Sequence, residues 1–197
     1  MGGKHLSWES RRVSDIADTE LMLRAGTTND ESAFSVLVQR YSNVLLNFFL
    51  RKGVSFSDGE DLAQRTFLRL WRYRARYSPQ AKFTTFLFML ANQEVIDFFR
   101  SAKRRKDMEN GFETEQKVEA DVVRQDRDGV DDEGIAVRRA VAGLSDSLRD
   151  VVELGIFQEL PYAEIAEILG IPQGTVKSRM FNALRKLKEV LDNGQRH

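Results

Sequence analysis

Apolar side chains in the first half of the chain recur at intervals of three and four. Ala33, Phe34, Leu37, Val38, Tyr41, Leu45, Phe48 and Phe49 fall on one helical face. Turn signals between Gly53 and Gly59 end that run, and Leu62, Phe67, Leu68, Leu70 and Trp71 mark a second helix. A third is predicted from about Phe83 to Lys106, opening apolar and closing on Lys103, Arg104, Arg105 and Lys106. Nothing before residue 107 alternates as a strand would. Prolines stand only at 79, 161 and 172, so most of the chain is free to be helical.

The pattern then breaks. From 107 to 134 large apolar residues are few and acids are dense, which predicts a flexible linker with a transient helix around 115–125. Helical spacing resumes over roughly 135–142, 145–158, 162–169 and 173–191. The expected fold is all-α, with two small helical domains joined by a flexible acidic linker. Domain limits fall at 1–17 for an N-terminal extension, 18–106, 107–134 for the linker and 135–197.

Within the last block Ala166, Gly170 and Val176 stand four and then six residues apart. Two helices that cross closely need a small residue at the contact, which Ala166 supplies. The short turn needs a left-handed residue, which Gly170 tolerates for want of a Cβ. Val176 would pack back into the angle with Ile165 and Leu169, and Pro172 suits a helix start. This is helix-turn-helix spacing. The second helix then exposes Gln173, Thr175, Lys177, Ser178 and Arg179 at the end that would enter a major groove. Lys and Arg can pair with guanine edges and Gln with adenine.

Net charge at first argues against a nucleic-acid ligand, because 30 basic and 30 acidic residues cancel. The charges are sorted, however. Residues 1–106 carry +7, residues 107–134 carry −8 and residues 135–197 carry +1. A basic block, an acidic tether and a near-neutral block have different partners. Zero cysteines exclude a disulfide framework and thiolate metal sites. No apolar run approaches the ~18 residues of a membrane span, and the start lacks a secretory pattern, so an intracellular, cytoplasmic protein without membrane insertion is expected. The two histidines are His5 and His197, and no phosphate loop or paired-acid site stands out. No enzyme activity and no cofactor or metal are expected.

The string from Leu160 to Arg179 closely resembles the second DNA-binding domain of bacterial sigma-70 family factors, and most of all the short extracytoplasmic-function (ECF) group. The N-terminal half agrees. Asp61-Leu-Ala-Gln-Arg-Thr-Phe-Leu-Arg-Leu-Trp71 is similar to the family's polymerase-binding helix, and Phe83-Thr-Thr-Phe-Leu87, continuing through Asp97 and Arg100, resembles its promoter-melting and −10-reading helices. The resemblance covers about 18–106 and 135–191.

It implies an RNA polymerase sigma factor that directs promoter-specific initiation. Asp61, Gln64, Leu68 and Trp71 would dock on the beta-prime clamp helices of core RNA polymerase, and the C-terminal domain on the beta flap. Arg76, Tyr77, Lys82, Phe86, Gln93, Arg100, Lys103 and Arg104 would hold −10 promoter DNA, with Tyr77 stacking a flipped base. Gln173, Thr175, Lys177, Ser178, Arg179 and Arg185 would read the −35 duplex. An anti-sigma factor that clamps both domains is a further implied partner, and the linker would thread toward the polymerase cleft as a nucleic-acid mimic. This chain departs from the family at Phe86, where tryptophan is usual, and at Gln93, where asparagine is usual. Asn182 and Leu184 stand where arginines are common. These changes bear on promoter sequence and strength. A stand-alone helix-turn-helix regulator is the competing reading, but it leaves the Asp61–Trp71 helix unexplained.

Overall fold

The computed structural model describes residues 16–109, 137 and 139–194. The acidic linker, its expected helix around 115–125 and nearly all of the N-terminal extension lie outside the described residues. Every regular element among those described is helical.

The N-terminal domain comprises α1 (Asp18–Thr27), α2 (Glu31–Arg51), α3 (Phe56–Tyr73), a 3-10 turn at Arg74–Arg76 and α4 (Phe83–Glu109). Asp30 caps α2 by accepting a hydrogen bond from the Ala33 amide at 3.0 Å. A hydrogen bond from Ser32, together with that amide, holds its carboxyl below the ordinary carboxylate range. Ser55 caps α3 in the same way, accepting from the Asp58 amide. The predicted face of α2 is the one that is buried, with Ala33, Leu37, Leu45, Phe48 and Phe49 inside. Apolar spacing did not flag α1, yet Leu21, Met22 and Ala25 are fully buried. Its Asp18 accepts hydrogen bonds from Arg40 and, at 2.6 Å, from the Tyr41 hydroxyl, which pins α1 to α2. Burial and then the bond to Asp18 push the Tyr41 phenol well above its usual range.

The C-terminal domain follows with helical residues at 139–142, then α5 (Asp146–Val152), α6 (Tyr162–Leu169) and α7 (Gln173–Gly194). The expected single helix over 145–158 is a correction. It runs as α5 and then widens into a π-helical turn at Glu153–Phe157. Close packing accompanies the change, because a Cβ at Gly155 would meet Met180 at 2.6 Å and Ile165 at 3.2 Å.

The two domains pack on each other through the end of α2 and one side of α4, against α5, the π turn and α6. Arg51 makes a two-pronged ion pair with Glu153, whose side chain is wholly buried, and Gln158 adds a third hydrogen bond at 2.9 Å. Beside it a polar chain crosses the interface. Lys52 donates to Asp150 and to Asn92, and Asn92 donates in turn to the Ile168 carbonyl. Further along, Lys82 (2.8 Å) and Thr85 (2.6 Å) both reach Glu164. Burial pushes the Glu164 carboxyl up, but the bonds from Lys82 and Thr85 and the Lys82 charge outweigh it. The group therefore sits below its ordinary value.

Candidate nucleic-acid interface

The helix-turn-helix angle is fixed by its turn. Gly170 adopts φ 63°, ψ 35°, the left-handed conformation that a residue with a Cβ reaches only at a cost. The Ile171 amide closes the turn on the Ala166 carbonyl at 3.1 Å. Pro172 sits one residue before the helix, and its carbonyl accepts from Thr175 and Val176. Val176, Met180 and Ala183 are buried along one side of α7, with Ile165 beneath them. That leaves Gln173, Lys177, Ser178 and Arg185 exposed, with Thr175 and Arg179 half-buried. Around Gly174 there is nothing within 4 Å of where a Cβ would be, so the helix start is open to a ligand. Free N–H groups at a helix start, a lysine and an arginine are groups whose chemistry can pair with phosphates and base edges. Phe181 is 68% exposed on the same helix, and Asn182 and Leu184, which stand where arginines are common, are both exposed near Arg185, one polar and one apolar.

In the N-terminal domain Asp61, Gln64 and Leu68 are exposed on one side of α3, Leu68 at 55%. Trp71, the fourth member of that set, is half-buried. Its ring packs edge-on against Phe34, with the Arg74 guanidinium 3.8 Å from its centroid. Leu68 therefore takes no part in the core of the domain.

The residues expected at −10 DNA form two groups. Arg76, Arg100, Lys103 and Arg104 are exposed, and Lys82 is exposed but paired with Glu164. Phe86 and Gln93 are half-buried, the Gln93 amide donating to Asp97. Tyr77 is 9% exposed, packed against Phe83 and Phe86. Its burial raises the phenol above its usual range. In this conformation Tyr77 is a wall of the core. Tyr73, four residues earlier, is exposed, as is Phe99 on α4, and the Tyr73 ring lies 5.2 Å from Phe86. The signal for Tyr73 was its spacing four residues before Tyr77 within an arginine-rich stretch. Sequence reading passed over it.

The geometry is that of a helix-turn-helix protein whose separate N-terminal helical domain exposes cationic and aromatic side chains. The family follows from comparison. The Sigma-70 region 2 model matches residues 37–105 and the Sigma-70, region 4 model matches 140–189, together more than half of the chain. The chain belongs to the sigma-70 family. Its curated relatives include the ECF RNA polymerase sigma factor RpoE of Cereibacter sphaeroides, 29% identical over 89% of this chain and 96% of that protein. They also include the ECF RNA polymerase sigma factor SigW of Bacillus subtilis, 28% identical over 82% of this chain and 90% of that protein. The fold is shared with the sigma factor RpoE of Bartonella quintana, solved with the anti-sigma factor NepR. That likeness has a TM-score of 0.67 at 23% identity, over 81% of this chain and 96% of that one.

Proposed function

We propose that this chain is an ECF-type sigma factor: it binds core RNA polymerase and directs promoter-specific initiation. The observation that carries the reading is the pairing, in one chain, of an open helix-turn-helix with a cationic, aromatic helical domain that also exposes Leu68. A stand-alone regulator has no use for the second surface. The domain at 18–106 takes the polymerase through Asp61, Gln64, Leu68 and Trp71 and holds −10 DNA through Arg76, Tyr77, Lys82, Phe86, Gln93, Arg100, Lys103 and Arg104. The domain at 135–197 reads −35 DNA through Gln173, Thr175, Lys177, Ser178, Arg179 and Arg185 and meets the beta flap. The work is binding and strand separation, without covalent chemistry, wherever the polymerase acts in the cytoplasm. Among the described residues no helix is long and apolar enough to cross a membrane. An anti-sigma factor, the partner of the Bartonella protein, belongs to the same reading.

The test is transcription in vitro with core polymerase, after mapping start sites in cells that overexpress the chain. Specific initiation is expected with the chain and none with core alone. Lys177→Ala and Arg179→Ala should each cut promoter output about tenfold, since one good base pairing is worth ~1–3 kcal/mol, with core binding unchanged. No capture of core polymerase would overturn the reading.

A further inference from the structure

Docking brings the two DNA-reading ends close together. Lys82, just before α4, lies 2.8 Å from Glu164 of α6, and only nine residues lead from Glu164 to Gln173 at the start of α7. Nine residues span at most ~34 Å. With side-chain reach added, the Lys82 ammonium and the reading end of α7 stay within roughly 45 Å of each other. The −35 and −10 elements are about 25 base pairs apart, or ~85 Å at ~34 Å per turn of duplex. Duplex of that length is stiff, its persistence length being ~150 base pairs. A docked chain can hold one element or the other, and not both.

The contact that imposes this spacing is built from buried charge. Glu153 has no exposed side-chain surface and takes two of its hydrogen bonds from Arg51, so undocking strips it of its countercharge. Beside it buried Lys52 reaches Asp150 and Asn92. The same face consumes promoter-binding chemistry. The Lys82 ammonium and the buried Thr85 hydroxyl (2.6 Å) both meet the Glu164 carboxylate, as they would meet a phosphate oxygen. Asp61, Gln64 and Leu68 stay exposed in the docked chain, and the start of α7 at Gly174 stays open.

We propose that the docked chain is a self-inhibited state: the Arg51–Glu153 anchor holds the two readers too close for one promoter, and Glu164 stands in for a phosphate on Lys82. Undocking lifts both restraints together. The proposal rests on the sigma-factor reading and adds to it an off state built into the chain itself.

The experiment locks the domains and, separately, loosens them. Thr85→Cys and Glu164→Cys replace side chains that meet at 2.6 Å, in a chain with no other cysteine, and a reducible thiol cross-linker joins them. The locked chain is expected to capture core polymerase as the reduced chain does, and to give less than about a tenth of its transcript from a mapped promoter. Reduction should restore the output. Equal transcript from locked and reduced holoenzyme would overturn the proposal. Loss of core capture on locking would move the effect to the polymerase face and overturn it too. In the converse arm, free Arg51→Ala chain should bind a forked probe, −35 duplex joined to an unpaired −10 strand, about tenfold more tightly than wild type. Binding to −35 duplex alone should be unchanged. The gain is bounded by the fall in the docked population. No gain on the forked probe, or the same gain on both probes, would overturn the proposal. If wild-type chain captures no core polymerase, the sigma-factor reading itself fails, which is a different result from any of these.

Discussion

Arg51→Ala should separate the two domains before it unfolds either of them. Glu153 has no exposed side-chain surface, and two of its three hydrogen bonds come from the Arg51 guanidinium of the other domain. The substitution also removes the guanidinium that lies 4.4 Å from the Phe157 ring centroid. Removing one partner of a buried ion pair costs ~3–5 kcal/mol, because the remaining charge is left uncompensated. Two facts lower that figure here. Arg51 keeps 27% exposure, so solvent already screens part of the pair. Undocking also offers Glu153 an escape into water. A cost of about 2–3 kcal/mol to docking is expected, or roughly a 30- to 150-fold fall in the docked-to-undocked ratio at ~1.4 kcal/mol per decade. The chain has no cysteine, so a cysteine pair introduced at the exposed positions Glu60 and Glu167 can carry two dyes and report domain separation directly. Arg51→Ala should shift that distribution to longer distances. Arg51→Ala combined with Glu153→Gln should recover part of the docked population, since the orphaned charge is what costs. Arg24→Ala serves as the control: its pair with Glu20 is about half exposed on both sides and one turn apart on α1, so the effect should be under ~0.5 kcal/mol. If Arg51→Ala leaves the distance distribution where Arg24→Ala leaves it, the buried pair does not hold the domains and the reasoning is wrong.

Two further outcomes follow from neighbouring features. At Gly26 an added Cβ would lie 2.2 Å from the Arg74 carbonyl oxygen, a backbone atom, so Gly26→Ala must displace the 3-10 turn. Overpacking of this kind costs ~1–3 kcal/mol, partly offset by alanine's helix preference. Thermal unfolding should show a midpoint several degrees lower, at about 2–4 °C per kcal/mol for a chain of this size. A midpoint at or above wild type would contradict the close approach. The Glu164 carboxyl is held below its ordinary 4.5, with burial opposing and the Lys82 and Thr85 contacts prevailing. A depressed folded-state pKa contributes stability above the unfolded value and loses it as pH falls through the folded one. Docking measured by the same dye pair should therefore hold near neutrality and weaken as the pH drops below about 4.5. Glu164→Gln should flatten that particular dependence, and an unchanged acid limb in the variant would assign it to other groups.

Much of the interface was legible in the sequence because its causes are local. A left-handed turn needs Gly170 whatever surrounds it, and the observed φ of 63° follows from that requirement. The buried face of α2 follows from spacing alone, as does the polar start of α7, since a helix sorts its side chains every 3.6 residues. The burst of cations after Phe83 marked the second surface in the same way.

What the sequence could not settle depends on partners distant in the chain. Nothing in the string around Arg51 points to Glu153, about a hundred residues later, and the acidic carboxylates of α5 and α6 read as solvated until the other domain is placed against them. Helix α1 was missed because ten residues give too few repeats for spacing to register, though its burial is complete at Leu21, Met22 and Ala25. The choice between Tyr77 and Tyr73 was of the same kind. Both are tyrosines in one arginine-rich stretch, and periodicity cannot say which ring the chain folds over. The sequence by itself determined the longer helices, the turn and the sign of each surface, because those are set by residues within a few positions of one another. Only the tertiary structure decided which aromatic faces water and which carboxylates meet the basic domain, because exposure and pairing depend on where distant segments come to rest.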